Sequence, residues 1–147
     1  MSKLLRTSTV TAELARTLIE LTSAKASEMG RPMSIAVVDS SGILKSFERM
    51  DGCPFLAVDI AINKAYTASS FQMSTDAWFE FVKDDEPLRL SIVHTPRLTT
   101  FGGGYPIMVD GECVGGIGVS GGHYSEDMVC AQAALETLAT PQLGEDG

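Results

Sequence analysis

Gly102-Gly103-Gly104-Tyr105-Pro106-Ile107-Met108-Val109-Asp110-Gly111-Glu112-Cys113-Val114-Gly115-Gly116-Ile117-Gly118-Val119-Ser120-Gly121-Gly122 is the stretch whose reading decides the fold. Asp110-Gly111 separates two extended runs and suits a two-residue turn with positive φ at both positions. The stretch therefore reads as an antiparallel hairpin. It also contains Gly116-Ile117-Gly118-Val119-Ser120-Gly121, a match to G-x-G-x-x-G. A dinucleotide site needs that motif to open a strand–helix–strand unit, with an acidic residue about 20 positions further on. Here a helical pattern follows, but no second parallel strand. That helix opens with Ser125-Glu126-Asp127, whose carboxylates suit a helix dipole and repel a pyrophosphate. The glycines read instead as bare backbone that a helix, another subunit or a ligand approaches closely.

Working outward, Val10, Leu14, Leu18 and Leu21 repeat at helical spacing. They predict an opening helix of about 20 residues, capped by Ser8 or Thr9 and stopped by Gly30 and Pro32. Ser34–Asp39 and Ile43–Met50 read as strands around a Ser40-Ser41-Gly42 turn. Asp51-Gly52-Cys53-Pro54 leads into a helix over about Phe55–Phe71. Ala57, Ala61, Ala65 and Ala68 form its small face, with Lys64 and Thr67 on a neighbouring strip. Ser74 caps a short helix holding Trp78, Phe79, Phe81 and Val82, which Asp84-Asp85-Glu86-Pro87 ends. Leu88–Phe101 reads as loop with a short extended piece. After the hairpin, Met128, Ala131, Leu135 and Leu138 mark a last helix. The order α-β-β-α-α-β-β-α predicts an α+β domain with an antiparallel sheet, since helices and strands do not alternate. One domain, 1–147, is expected.

The 147 residues carry a formal net charge of −8, which disfavours nucleic-acid and acidic-membrane partners. No apolar run approaches the roughly 20 residues of a membrane span. Met1–Arg6 lacks the features of a signal peptide, so a cytoplasmic protein is expected. Cys53, Cys113 and Cys130 are widely spaced and odd in number, and read as free thiols. With two histidines and no Cys/His spacing, no metal site is expected. Asp84-Asp85-Glu86 carries oxygen ligands but reads as a solvated helix end.

The pieces Ile35–Asp39 with Gly42, Arg49-Met50-Asp51-Gly52, Asp59-Ile60-Ala61, Lys64-Ala65 and Thr67-Ala68 together form a pattern. Gly103-Gly104, Pro106-Ile107, Asp110-Gly111 and Gly115–Gly121 complete it. Over about residues 9–138 the chain resembles the GlcG/HbpS-like family, whose domain also ends the PduO-type corrinoid adenosyltransferases. The resemblance implies a profilin-like fold with a five-stranded antiparallel sheet between helices, and homo-oligomers. It implies a small-ligand-binding protein for haem or a related tetrapyrrole, or an accessory protein of catabolism.

Candidate residues follow. Arg49 and Asp51 flank a strand end, where arginine can clamp a carboxylate and Asp51 can orient it. Lys64 can meet an anion or pair with an acid. With Thr67, Gly103, Gly104, Ser120 and Gly121 these residues are the expected ligand pocket. Arg49, Asp51, Lys64 and Ser120 are the candidates for catalysis. His94, His123 and Tyr105 are the candidates for an axial haem ligand. Three readings stay open: a haem-binding protein, a cofactor-independent isomerase, lyase or hydrolase acting on a small anionic or carbonyl compound, and a ligand-free structural oligomer.

Overall fold

The computed structural model describes residues 2–139. Its elements are α1 (Ala12–Glu28), β1 (Ser34–Asp39), β2 (Leu44–Arg49), α2 (Leu56–Phe71), α3 (Thr75–Val82), α4 (Glu86–Ile92), β3 (Gly104–Val109), β4 (Glu112–Ser120) and α5 (Tyr124–Ala139). β3 and β4 are the hairpin. Asp110 at φ 50° and Gly111 at φ 80° make the two-residue turn, and Val109 faces Glu112 across it. The strands order as β2-β1-β4-β3, every pair antiparallel.

Period-two alternation along β1 separates the faces of this sheet. Ile35 and Val37 join Ile107, Ile117 and Val119 under α1 and α5, where Leu18, Ile19, Cys130 and Ala131 complete the larger core. Ala36 and Val38 point the other way, onto Ala61 and Ala65 of α2. On this second face the glycines have their explanation. A Cβ on Gly116 would collide with the Ala65 carbonyl oxygen, and one on Gly118 with that of Ala61. The close neighbour of the bare strand is thus α2, whose alanine face lets two backbones meet.

Two expectations are corrected. Among the described residues the sheet has four strands, not five. The 88–101 segment supplies no strand, and α4 occupies its first part. Asp85 does not merely end α3: its Oδ1 accepts the Leu88 N–H at 3.1 Å, with Pro87 in the first turn. The order therefore contains five helices rather than four. The α1 cap also moves. Thr11 accepts the Leu14 N–H at 3.1 Å, while Thr9 accepts the Ser40 N–H at 3.0 Å. The cysteines are unpaired. Among the described residues no helix is long and apolar enough to cross a membrane.

Candidate functional site

At the β1/β4 end nearest α5, four elements converge on Lys64. Its Nζ donates to Val119 O at 2.8 Å and to Asp127 Oδ2 at 2.8 Å. The ammonium also lies 4.7 Å from the centroid of the Phe101 ring. Lys64 is 0% exposed and Asp127 1%. Burial pulls the Lys64 ammonium below the ordinary lysine range and pushes the Asp127 carboxyl up, while their mutual attraction opposes both shifts. Asp127 Oδ1 accepts the Gly122 N–H at 3.2 Å, so the pair also fixes the turn into α5. A Cβ on Gly103 would come within 2.6 Å of Nζ, which is why glycine stands there.

The other expected pocket residues divide around this pair. Gly104 packs on the Lys64 backbone and donates its N–H to Thr75 Oγ1 at 3.0 Å. Thr67 is buried and clamps a loop: its hydroxyl donates to Arg97 O at 3.1 Å and accepts the Thr99 N–H at 3.0 Å. Ser120 is buried opposite Ser34, and Gly121 packs on Pro32, Met33 and the Cys53 thiol. Arg49 and Asp51 are exposed. In register Arg49 faces Ser34, and Ser34 faces Ser120. That leaves Arg49 two strand spacings, about 10 Å, from Ser120. Lys64, Gly103 and Gly104 thus come together in a packed interior, with Arg49 and Asp51 outside it at a surface corner.

An open cleft of about 420 Å³ lies beside this interior, bounded by α3, the 100–102 segment and the start of α5. Phe79, Phe101, Tyr124 and Met128 give it apolar walls, and Asp76 and Glu80 its charge. Phe101 separates it from the Lys64 ammonium. His123 stands at its border, with its ring 4.1 Å from that of Tyr124. The Ser125 N–H donates to His123 Nδ1 at 3.2 Å, and Ser125 Oγ lies 2.7 Å from the same nitrogen. His123 is exposed. His94 is exposed just beyond α4, and does not line the cleft. The Tyr105 phenol oxygen is buried without a partner. Burial first, and the Asp76 charge second, push its pKa up to about 12, so it stays a neutral phenol at physiological pH.

The family model for the haem degrading protein HbpS-like group matches residues 10–136. The chain belongs to the HbpS-like family. This HbpS-like chain is 34% identical over 140 residues to a 15.0 kDa protein of the dhaT-dhaS intergenic region of Citrobacter freundii, covering 95% of this chain and 99% of that one. Klebsiella pneumoniae ORFY superimposes with a TM-score of 0.88 at 30% identity, over 95% of this chain and 97% of its own. PduOC, solved in complex with haem, gives a TM-score of 0.80 at 27% identity, over 87% and 94%.

Sequence reasoning passed over the residues that build the cleft. Trp78, Phe79 and Phe81 read alike as core or interface residues rather than a cofactor box; Trp78 is core, Phe79 and Phe81 are exposed at 46% and 63%, and Phe79 lines the cleft. Asp127 had a legible signal. It shares the i, i+3, i+4, i+7 stripe of Cys130, Ala131 and Ala134, and an acid on a buried stripe demands a partner.

Proposed function

We propose that this HbpS-like chain binds haem or a related tetrapyrrole in the cleft walled by Phe79, Phe101, Tyr124 and Met128. The observation that carries this reading is the cleft itself. Its volume falls within the roughly 300–1,000 Å³ of small-molecule sites, and its walls are aromatic and thioether groups suited to a flat macrocycle. The haem-bound PduOC relative supports the choice of ligand.

The donor set fits the group. His123 would hold the iron through Nε2 in the tautomer protonated on Nδ1; Nδ1 would then donate to Ser125 Oγ, 2.7 Å away, and give up the Ser125 N–H it accepts in this structure. Met128 adds a sulfur donor within the cleft. Tyr105, kept as a phenol, and His94, away from the cleft, fit less well. Arg31 is the cation on the His123 side, bonded through Nε to Glu126 Oε2 at 2.7 Å, while Glu126 Oε1 accepts the His123 N–H. Carboxylate groups of a porphyrin are favoured there and disfavoured beside Asp76 and Glu80. When bound, haem supplies redox chemistry that the side chains lack. The chain's own part is to exclude water with the aromatic walls, orient the His123 ring through Ser125, and fix Phe101 and the Gly122 turn through Lys64–Asp127.

A cofactor-independent enzyme gains less support. Its Lys64 is sealed and paired, and its Arg49 and Asp51 stand apart. We also propose a homo-oligomer. Trp78 stacks on Phe71 at 4.2 Å and on Phe81 at 5.3 Å, and both of these partner rings are exposed, as are Leu90 of α4 and Val93 just after it. Hemin titration tests the ligand reading. A sharp Soret band should appear with wild type, Tyr105→Phe and His94→Ala, and shift or broaden with His123→Ala. Spectra unaffected by all three substitutions would refute the assignment.

A further inference from the structure

The polar side of the cleft carries information that the tetrapyrrole reading does not use. Asp76 Oδ1 is buried in its lining and accepts no hydrogen bond. The phenol oxygen of Tyr105, close enough to feel the Asp76 charge, is likewise buried and unpartnered. Buried polar atoms nearly always have partners, and a carboxylate oxygen is among the costliest to leave without a donor. With Asp76 in the lining of the open cleft, such an atom describes a place where a ligand group completes the bonding.

Charge says which group. The titratable residues lining the cleft are acids, Asp76 and Glu80 one helical turn apart on α3, together with Tyr124. Among the described residues, no lysine, arginine or histidine lines the cleft. The nearest buried ammonium, Lys64, lies behind Phe101 and is already paired with Asp127. The aromatic faces of Phe79, Phe101 and Tyr124 add quadrupoles that attract positive charge. On the Asp76 side an anionic group would meet two carboxylates and, among the described lining residues, no cation.

We infer that the Asp76 side of the cleft is a subsite for an N–H-donating or cationic group carried on a flat ring, such as an amidinium or a protonated nitrogen heterocycle. The inference rests on reading the cleft as a ligand site, and adds the polarity that a ligand must present on the Asp76 side. The ring lies among the aromatic walls. Its N–H groups donate to Asp76 Oδ1, with the Tyr105 oxygen as second partner.

Benzamidine and benzoate make the test, being similar in shape and opposite in charge. In NMR titrations of the ¹⁵N-labelled full chain, benzamidine should shift the amides of Phe101, Gly102 and Tyr124. Benzoate at equal concentration should leave them unmoved. Asp76→Asn should weaken benzamidine at least about tenfold with the melting temperature unchanged, the scale of one lost charge-assisted hydrogen bond. Equal responses to the two probes, shifts outside the cleft, or an unaltered affinity in a folded Asp76→Asn variant would overturn the inference. Should that variant fail to fold, the comparison of the two probes on wild type decides alone. Hemin binding through His123 without benzamidine binding removes this inference and leaves the tetrapyrrole reading. Benzamidine binding without hemin binding does the reverse.

Discussion

Replacing Lys64 by Met keeps most of the buried stem and deletes the ammonium. Three things are lost together: the 2.8 Å bond to Asp127 Oδ2, the 2.8 Å bond to Val119 O and the cation 4.7 Å from the Phe101 ring. Asp127, 1% exposed, keeps the Gly122 N–H at 3.2 Å but loses its counter-charge and becomes an uncompensated buried acid. Breaking a buried pair from one side costs about 3–5 kcal/mol. For a domain of this size that lowers Tm by about 6–20 °C, at roughly 2–4 °C per kcal/mol. The double variant Lys64→Met/Asp127→Leu removes both charges, and should lie within about 2 kcal/mol of wild type, the remainder reflecting the lost Gly122 cap. Urea unfolding of the four-member cycle measures the coupling directly. A single variant costing under about 1 kcal/mol, or a double variant as unstable as the sum of the singles, would refute the clasp.

Three further outcomes follow from the same geometry. Gly118→Ala should cost about 3 kcal/mol or more, because its methyl meets the fixed Ala61 carbonyl, while Gly111→Ala at φ 80° with open space around it should cost only about 1–2 kcal/mol, both read by urea unfolding. Glu126, held below its ordinary 4.5 chiefly by the hydrogen bond from Arg31, binds fewer protons folded than unfolded; its stabilisation is present above pH 4.5 and lost as the pH falls through the folded value. The stability difference between wild type and Glu126→Gln should therefore shrink with acidification over that window, and a pH-independent difference would contradict the assignment. Phe81→Arg should shift sedimentation toward smaller species if the exposed Phe71 and Phe81 rings on buried Trp78 are a subunit contact, with an unchanged profile counting against it.

The local chemistry of the sheet was legible because each signal was short-range. Asp110-Gly111 can make few turns other than the one observed, and the alternation in Ser34–Asp39 separates its two faces. The alanine stripe of α2 and the bare glycines of β4 match because each needs the other. The cleft was not legible in this way. Asp76, Phe101, Tyr124 and Met128 come from three separated segments, and only tertiary packing brings them together. The same holds for the Lys64–Asp127 pair, 63 positions apart. Lys64 read as meeting an anion or pairing with an acid, and it pairs with an acid, though nothing local reveals its burial or names Asp127 as the partner. Thr67 read as a ligand contact, yet its hydroxyl serves the 97–99 backbone. The missed helix α4 shows a different failure. Asp85 looked like a terminator of α3 and is instead the cap of the next helix, two roles that the same residue type fills equally well.

The central claim is that the cleft beside His123 receives a flat tetrapyrrole, and a wall substitution tests it most directly. Phe79 is 46% exposed, so Phe79→Glu should fold normally while adding a third carboxylate to the lining. Hemin titrated into both proteins, followed at the Soret band and checked by native mass spectrometry, gives stoichiometry and affinity together. The account predicts saturable binding of one hemin per chain in wild type, and at least about a tenfold loss of affinity in Phe79→Glu at unchanged Tm. Equal affinities in the two proteins, or no saturable binding in wild type, would contradict it.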